Sequence, residues 1–189
     1  MKPEDLGAYY ESILKDEFRK SGGVYYTPQY IVDTIVEKTV VPLLKDKTHE
    51  EIAKVKIVDP ACGAGVFLLG VYQRLLDWHT EYYKANCPPS KGRKTDPLTP
   101  DGKLTATEKK KILLNNIFGV DIDSVAVEIT KLSLLIKCME GETTGSVETT
   151  LKLFREKLLP NINSNICTGN ALVDLTFYSH ELRSKNPNP

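Results

Sequence analysis

Residues 55–67 read VKIVDPACGAGVF, a pattern typical of a buried β-strand that breaks into a glycine turn and opens a helix. The strand ends in an acid, Asp59. Gly63 and Gly65 allow the backbone to approach a ligand closely where a Cβ atom would collide, and the helix that follows directs free amide groups toward it. The stretch therefore predicts a ligand-binding turn, although glycine-bearing turns also occur in parallel-sheet proteins that bind no nucleotide.

The residues around this turn restrict the class of ligand. The dinucleotide fingerprint GxGxxG requires a third glycine where this chain has Leu68, which disfavours NAD and FAD. The phosphate loop GxxxxGKS or GxxxxGKT is absent, because apolar residues follow the glycines and no lysine is placed to reach a phosphate. Asp59 in front of the turn suits a ligand that carries an amino group and sugar hydroxyls. S-adenosyl-L-methionine fits that description.

Four segments resemble the motifs of the amino-methylating DNA methyltransferases, particularly the N6-adenine type fused to restriction enzymes. DPACGAGVF at residues 59–67 is similar to the cofactor motif of that family, and GGVYYTPQYIV at 22–32 to the segment that closes over the methionine end of the cofactor. IFGVDID at 117–123 resembles the second-strand motif, and ICTGNAL at 166–172 the third. The resemblance implies a partial Rossmann-like, S-adenosylmethionine-dependent methyltransferase sheet of α/β class with an N-terminal helical appendage.

The same resemblance implies a cofactor site drawn from all four segments. Asp121 ends the second strand, where a carboxylate accepts hydrogen bonds from ribose hydroxyls. Asp123 competes for that role, but its position favours a helix N-cap. The implied cofactor-binding residues are Tyr25, Thr27, Pro28, Asp59, Pro60, Ala61, Cys62, Gly63, Gly65, Asp121, Ile122 and Asn170.

Several of these residues also have ordinary structural interpretations. Thr27 and Pro28 read as the N-cap and first position of a helix. Ile122 lies against the cofactor adenine by analogy with the family, or is a core isoleucine. Asn170 accepts a bond from the exocyclic amine of the cofactor, or is a turn asparagine. Cys62 has no partner histidine nearby in the sequence, so its thiol is expected to be a packing group rather than a nucleophile.

The family's catalytic motif, Asn-Pro-Pro-aromatic, does not occur in the 189 residues. The segments at 186–189 (NPNP) and 87–90 (CPPS) lack its residues or its context. In the intact enzyme, the resemblance implies that this motif holds a flipped adenine while its N6 attacks the cofactor methyl. We therefore expect the S-adenosylmethionine-binding portion of a site-specific DNA (adenine-N6) methyltransferase of a restriction-modification or phage-defence system, inactive alone and with no catalytic residue of its own.

Composition limits the partners and the environment. Lysine plus arginine and aspartate plus glutamate number 25 each, so overall charge does not draw the protein to nucleic acid, and DNA contacts are expected mostly outside these residues. The 4 cysteines are scattered and the histidines lack ligand spacing, which predicts neither a metal nor a disulfide scaffold. Without a signal core or a membrane-length apolar run, we expect a soluble, cytoplasmic protein that does not contact a membrane.

The chain divides into an N-terminal helix within residues 1–22, the cofactor-binding α/β unit at 23–180 and an unstructured tail at 181–189, truncated before the catalytic motif. A polar, proline-bearing stretch at 86–104 reads as an inserted surface loop. Periodicity and capping signals predict helices over about 6–18, 28–43, 66–83, 105–114, 124–136 and 147–159, and strands over 55–59, 117–120 and 165–167.

Other functions remain open at the level of the sequence. A methyltransferase with the same cofactor could act on RNA or on a protein amide. A nicotinamide-dependent oxidoreductase is disfavoured by Leu68. A module that senses the cofactor or serves as a scaffold would need no catalytic motif at all.

Overall fold

The computed structural model describes residues 3–13, 27–87, 96–142 and 159–173. Six helices and three strands alternate in this part of the chain. In order they are α1 (Pro3–Ile13), α2 (Gln29–Leu44), α3 (His49–Ile52), β1 (Ile57–Asp59), α4 (Val66–Asn86), α5 (Ala106–Asn116), β2 (Ile117–Asp121), α6 (Ser124–Met139) and β3 (Ile166–Thr168). The predicted tail at 181–189 and most of the predicted helix at 147–159 lie outside the described residues.

The three strands form one parallel sheet in the order β1-β2-β3. Ile57 pairs with Ile117, and Gly119 pairs with Ile166, so these residues share one face of the sheet. Helix α4 covers that face, because the Leu68 side chain lies where a Cβ on Gly119 would be. The architecture is mixed α/β with a small parallel sheet, which is compatible with a Rossmann-like methyltransferase fold.

The prediction that β1 is a fully buried strand is only half right. Ile57 is half-buried on the face that α4 covers, whereas Val58 on the opposite face is 60% exposed. The strand is also shorter than predicted, since pairing begins at Ile57 rather than at Val55. A run of apolar residues predicts burial on both faces, and here the described part of the chain covers one.

Helix α2 buries a narrower stripe than the sequence predicts. Val32, Val36, Val40 and Leu44 are buried at four-residue spacing. The helical periodicity of the sequence also predicts burial of Ile35 and Leu43, but these are 41% and 51% exposed. The helix packs mainly against α4, where Val32 and Val36 meet Gly70. A helix with one main neighbour buries one residue per turn, and the broader apolar face stays in solvent.

The predicted cap of α2 is wrong by one residue. Pro28, not Thr27, occupies the N-cap position, with ψ of 143° and no side-chain hydrogen bond to the helix. Its carbonyl oxygen accepts bonds from the amides of Ile31 and Val32. Pro28 is itself extended rather than helical, so the helix begins at Gln29.

Helix α6 buries only part of its apolar surface. Val127 and Leu134 are fully buried, whereas Val125 and Leu132 are 55% and 49% exposed. The buried face also carries small and polar residues, including Thr130 and Ser133. Because α6 packs against α1, α4, α5 and two strands, small side chains on this face allow the close approach that larger ones would prevent.

The segment at 86–104 is not simply a surface loop. Leu98 and Leu104 form an antiparallel bridge and are buried in the hydrophobic core. Residues 88–95 lie outside the described residues. Thr105 caps α5 by accepting a bond from the Glu108 amide, and the Glu108 side chain accepts a bond from the Tyr83 hydroxyl.

The N-terminal helix packs against the core as predicted. Its described part ends at Ile13, whereas the predicted helix continues to about residue 18. Helix α1 lies against α6 and α4. Tyr10 is buried and its hydroxyl donates to Asp123 Oδ2 at 2.5 Å. Tyr9 and Ile13, which recur at the same helical spacing in the sequence, are 62% and 61% exposed.

Candidate cofactor-binding site

The carboxyl ends of β1 and β2 bring the predicted site residues together. Asp59 ends β1 and Asp121 ends β2, and the register places both carboxylates on the face of the sheet that α4 covers. The turn after β1 is tied to β2, because the Cys62 amide donates to the Val120 carbonyl at 2.9 Å. Two acids and one glycine turn therefore share a single edge of the sheet.

Both glycines of the turn adopt conformations that favour glycine. Gly63 has φ of +50° and Gly65 has φ of +84°, in the left-handed region. Gly65 is the N-cap of α4, and its amide donates to the Cys62 carbonyl at 2.8 Å. A Cβ at Gly65 would also lie 2.7 Å from the Thr130 side chain, whereas one at Gly63 would meet no atom within 4 Å. Gly63 therefore faces open space, which leaves room for a ligand beside the backbone.

The Asp121 side chain, at the end of β2, also forms hydrogen bonds that fix the Gly63 turn. Its Oδ2 accepts from the Gly63 amide at 2.7 Å, and its Oδ1 accepts from the Asp123 amide at 2.9 Å. Hydrogen bonds from amides to a carboxylate are among the stronger ones in proteins. Asp123 itself caps α6 by accepting bonds from the amides of Val125 and Ala126, which confirms the N-cap interpretation.

Asp59 has a different environment. Its Oδ1 accepts one bond, from the Ala61 amide at 3.1 Å. Burial raises the pKa of the Asp59 carboxyl, the Ala61 bond opposes that shift, and the nearby Asp121 carboxylate adds to it. The ionised form of Asp59 is therefore disfavoured while no cation lies beside it.

Cys62 is a packing residue, as predicted. It is 5% exposed, and its Sγ would lie 3.1 Å from a Cβ on Gly119. Burial, with the Asp59 and Asp121 carboxylates, raises the pKa of the Cys62 thiol to about 12. The thiol stays protonated at neutral pH and is a poor nucleophile.

The remaining predicted residues lie around this edge or outside the described residues. Pro60 and Ala61 are exposed on the turn. Ile122 is 73% exposed and so is not a core isoleucine. Asn170 follows β3, and its Oδ1 accepts from the Leu172 amide at 3.0 Å, as in a turn asparagine. Tyr25 lies outside the described residues, while Thr27 and Pro28 precede α2, which packs against α4.

Sequence reasoning missed Thr130. This residue lies on α6, is fully buried, and donates from Oγ1 to the Gly63 carbonyl at 2.7 Å. A threonine in the middle of a helix is not a motif, and only the packing of α6 onto the turn reveals the contact.

Two cavities in the described part of the chain lie elsewhere. One of about 350 Å³ lies near His79 and Asn116, and one of about 700 Å³ lies near Asp33 and Arg74. Neither includes Asp59, Gly63 or Asp121.

A family model for the DNA-methyltransferase domain of MmeI matches residues 37–179, which span the turn and all three strands. The chain belongs to this family of MmeI-type DNA-methyltransferase domains. The matched range begins after Tyr25, Thr27 and Pro28, so family membership rests on the turn and strand segments rather than on those residues.

Curated proteins similar to this MmeI-type domain include restriction and methylation enzymes. The type II restriction enzyme and methyltransferase RM.Eco57I of Escherichia coli is 34% identical over 151 residues, which cover 80% of this chain and 14% of that protein. A putative type II restriction enzyme and methyltransferase of Methanocaldococcus jannaschii is 29% identical over 213 residues, covering 92% and 16%. The adenine-specific methyltransferase PglX of Streptomyces coelicolor is 28% identical over 147 residues, covering 78% and 10%. The chain thus spans less than one fifth of the length of these relatives.

Across residues 3–13, 27–87, 96–142 and 159–173, no group of three or more His, Cys, Asp or Glu side chains is arranged to hold a metal ion. Within the same ranges, no helix has both the length and the apolar character needed to cross a membrane.

Proposed function

We propose that the chain binds S-adenosyl-L-methionine at the carboxyl ends of β1, β2 and β3, as the cofactor-binding part of a site-specific adenine-N6 DNA methyltransferase with a Rossmann-like sheet. The observation that carries the proposal is the pair of carboxylates, Asp59 and Asp121, beside the open Gly63 turn. Both raise the pKa of Cys62 at the centre of the turn, so the potential there is negative. Such a site favours a ligand with an ammonium group, a sulfonium and sugar hydroxyls, and disfavours a pyrophosphate.

Each of the predicted strand-end residues would bind a different part of the cofactor. Each oxygen of Asp121 already accepts one amide bond and has a second lone pair, which suits a ribose hydroxyl. Exposed Ile122 is the next residue and would lie against the adenine ring. Asp59 would accept from the ammonium group. The Oδ1 of Asn170 has a second lone pair and would accept a hydrogen bond from the exocyclic amine of the cofactor.

The turn and the segment before α2 complete the proposed site. Pro60, Ala61, Cys62, Gly63 and Gly65 would contribute backbone, since the Gly63 turn is open and the first amides of α4 have no partners within the helix. Tyr25, Thr27 and Pro28 would close over the methionine end, a role that rests on the resemblance of their segment to the family motif.

Isothermal titration tests the cofactor proposal. S-adenosylhomocysteine, the demethylated product, should bind to the folded chain, whereas NAD should not. Ile122→Ala and Val125→Ala form a matched pair, because the two side chains are 73% and 55% exposed and neither supports the core. Ile122→Ala should weaken binding by about tenfold, the order expected for loss of one apolar contact of this size, and Val125→Ala should not.

Two outcomes of the titration would refute the cofactor proposal. The first is that folded protein, checked by circular dichroism, does not bind S-adenosylhomocysteine. The second is that NAD binds as tightly as S-adenosylhomocysteine. Equal loss of affinity in Ile122→Ala and Val125→Ala would reject the contact between Ile122 and the adenine ring, but not cofactor binding itself.

The acceptor is proposed from the relatives, whose names include adenine-specific methylation. The Asn-Pro-Pro-aromatic motif is absent from the 189 residues, so adenine transfer is assigned to the longer enzyme of which this domain is the cofactor part. Expression of the whole encoding gene in a host without adenine methylation should produce N6-methyladenine at one recurrent DNA sequence. Methylation of RNA or protein in its place, or of cytosine, would reject the DNA-adenine assignment.

A further inference from the structure

Thr130 contacts the glycine turn from a distant part of the chain. It lies in the middle of α6, is 0% exposed, and is separated from Gly63 by 67 positions in the sequence. Its Oγ1 donates to the Gly63 carbonyl at 2.7 Å, and its side chain fills the space where a Cβ on Gly65 would be. One buried side chain therefore contacts both glycines.

Gly63 is held on both of its polar groups by side chains. Asp121 accepts from its amide at 2.7 Å, and Thr130 donates to its carbonyl at 2.7 Å. A glycine at positive φ has wide conformational freedom, and two such bonds remove most of it. The orientation of both peptide groups that flank Gly63 is thus set from β2 and from α6.

We propose that Thr130 is a positioning residue of the cofactor site: its hydroxyl fixes the Gly63 carbonyl and keeps the turn in the geometry that binds S-adenosylmethionine. The inference rests on the proposed function. Thr130 does not need to touch the cofactor, since it acts through Gly63. It links the packing of α6 to the shape of the turn.

Three variants separate the hydroxyl from the packing. Thr130→Val keeps the branched shape and removes the hydroxyl, whereas Thr130→Ser keeps the hydroxyl and removes the methyl group that abuts Gly65. Thr80→Val is the matched control, because the Thr80 hydroxyl also donates to a backbone carbonyl, that of Leu76, at 2.7 Å on α4. If Thr130→Val does not fold, Thr130→Ala removes the hydroxyl without adding a methyl group.

The measurements are S-adenosylhomocysteine affinity by titration and the hydrogen-exchange rates of the Gly63 and Gly65 amides by NMR. Thr130→Val should weaken binding about tenfold and raise the exchange of both amides, as expected when one buried hydrogen bond is lost. Thr130→Ser should stay within about threefold of the unmodified chain, and Thr80→Val should change neither quantity.

Two results would overturn this inference. The first is affinity and exchange in Thr130→Val that equal those of the unmodified chain. The second is an equal loss in Thr130→Ser, which would assign the effect to packing and not to the hydroxyl. Failure of the unmodified chain to bind S-adenosylhomocysteine would instead reject the proposed function, and the exchange rates, which need no ligand, would still report whether Thr130 holds the turn.

Discussion

Replacing Asp121 with asparagine should destabilise the protein even in the absence of a ligand. The carboxylate accepts two amide bonds, from Gly63 at 2.7 Å and from Asp123 at 2.9 Å. A hydrogen bond to a charged group contributes about 1.5–3 kcal/mol, and a neutral one about 1 kcal/mol. Asparagine retains one acceptor of neutral strength and turns an NH₂ group toward the other amide, so we expect a loss of about 2–5 kcal/mol.

The expected loss converts to a measurable shift in melting temperature. For a protein of this length, each kcal/mol lowers Tm by about 2–4 °C, so Asp121→Asn should melt about 4–20 °C below the unmodified chain. Circular dichroism at 222 nm on heating, with urea titration as a second probe, measures this. The matched control is Asp59→Asn on the neighbouring strand, whose single amide bond an asparagine oxygen can also accept.

The control also gives the refuting result. Asp59→Asn should melt at or above the Tm of the unmodified chain, since the ionised carboxylate is disfavoured there. Equal Tm values for Asp121→Asn and the unmodified chain, or equal losses in the two variants, would contradict the assignment of the turn-holding bonds to Asp121. Cofactor affinity should be measured well below both melting temperatures, so that loss of the proposed ribose contacts is not confused with unfolding.

Three further predictions follow from the same part of the molecule. Folding raises the pKa of Asp59, so ionisation of this carboxyl lowers the free energy of unfolding at pH 7 but not at low pH. Asp59→Asn should therefore raise Tm at pH 7, whereas thermal melts below about pH 4 should show no such gain. Cys62, whose pKa is raised to about 12, should resist iodoacetamide at pH 8 in the folded protein and react after denaturation, as read by mass spectrometry. Gly119→Ala should cost about 1–3 kcal/mol in urea unfolding, because its Cβ would lie 2.7 Å from Leu68, while Gly169→Ala, with its nearest contact at 3.5 Å, should be tolerated.

The strands and the turn could be predicted because their signals are contiguous in the sequence. The apolar run that ends in Asp59, the two glycines, and the run that ends in Asp121 each define an element and its end within a few residues. Parallel pairing then places the strand ends on one edge, whatever the length of chain between them. The segment at 86–104 interrupts the sequence without disturbing this arrangement, although Leu98 and Leu104 return to the core.

The buried faces of the helices could not be predicted in the same way. Periodicity finds an apolar stripe but does not show what covers it, and in α6 Val125 and Leu132 remain 55% and 49% exposed. The face that packs is determined by its neighbours, and against the glycine turn it needs a small side chain such as Thr130. A contact over 67 positions leaves no local trace in the sequence.

The two carboxylates of the site differ in what compensates their charge, and this difference bears on their roles. Asp121 is satisfied by two amides before any ligand arrives, so it can hold the turn and still offer lone pairs to neutral hydroxyls. Asp59 has one amide bond and a like charge nearby, so its ionised form gains most from an added cation. By linkage, a bound ammonium group and an ionised Asp59 each favour the other. The candidate site therefore contains a stabilising acid and a destabilised acid side by side, and the second is the one whose ionised form a cationic cofactor would stabilise.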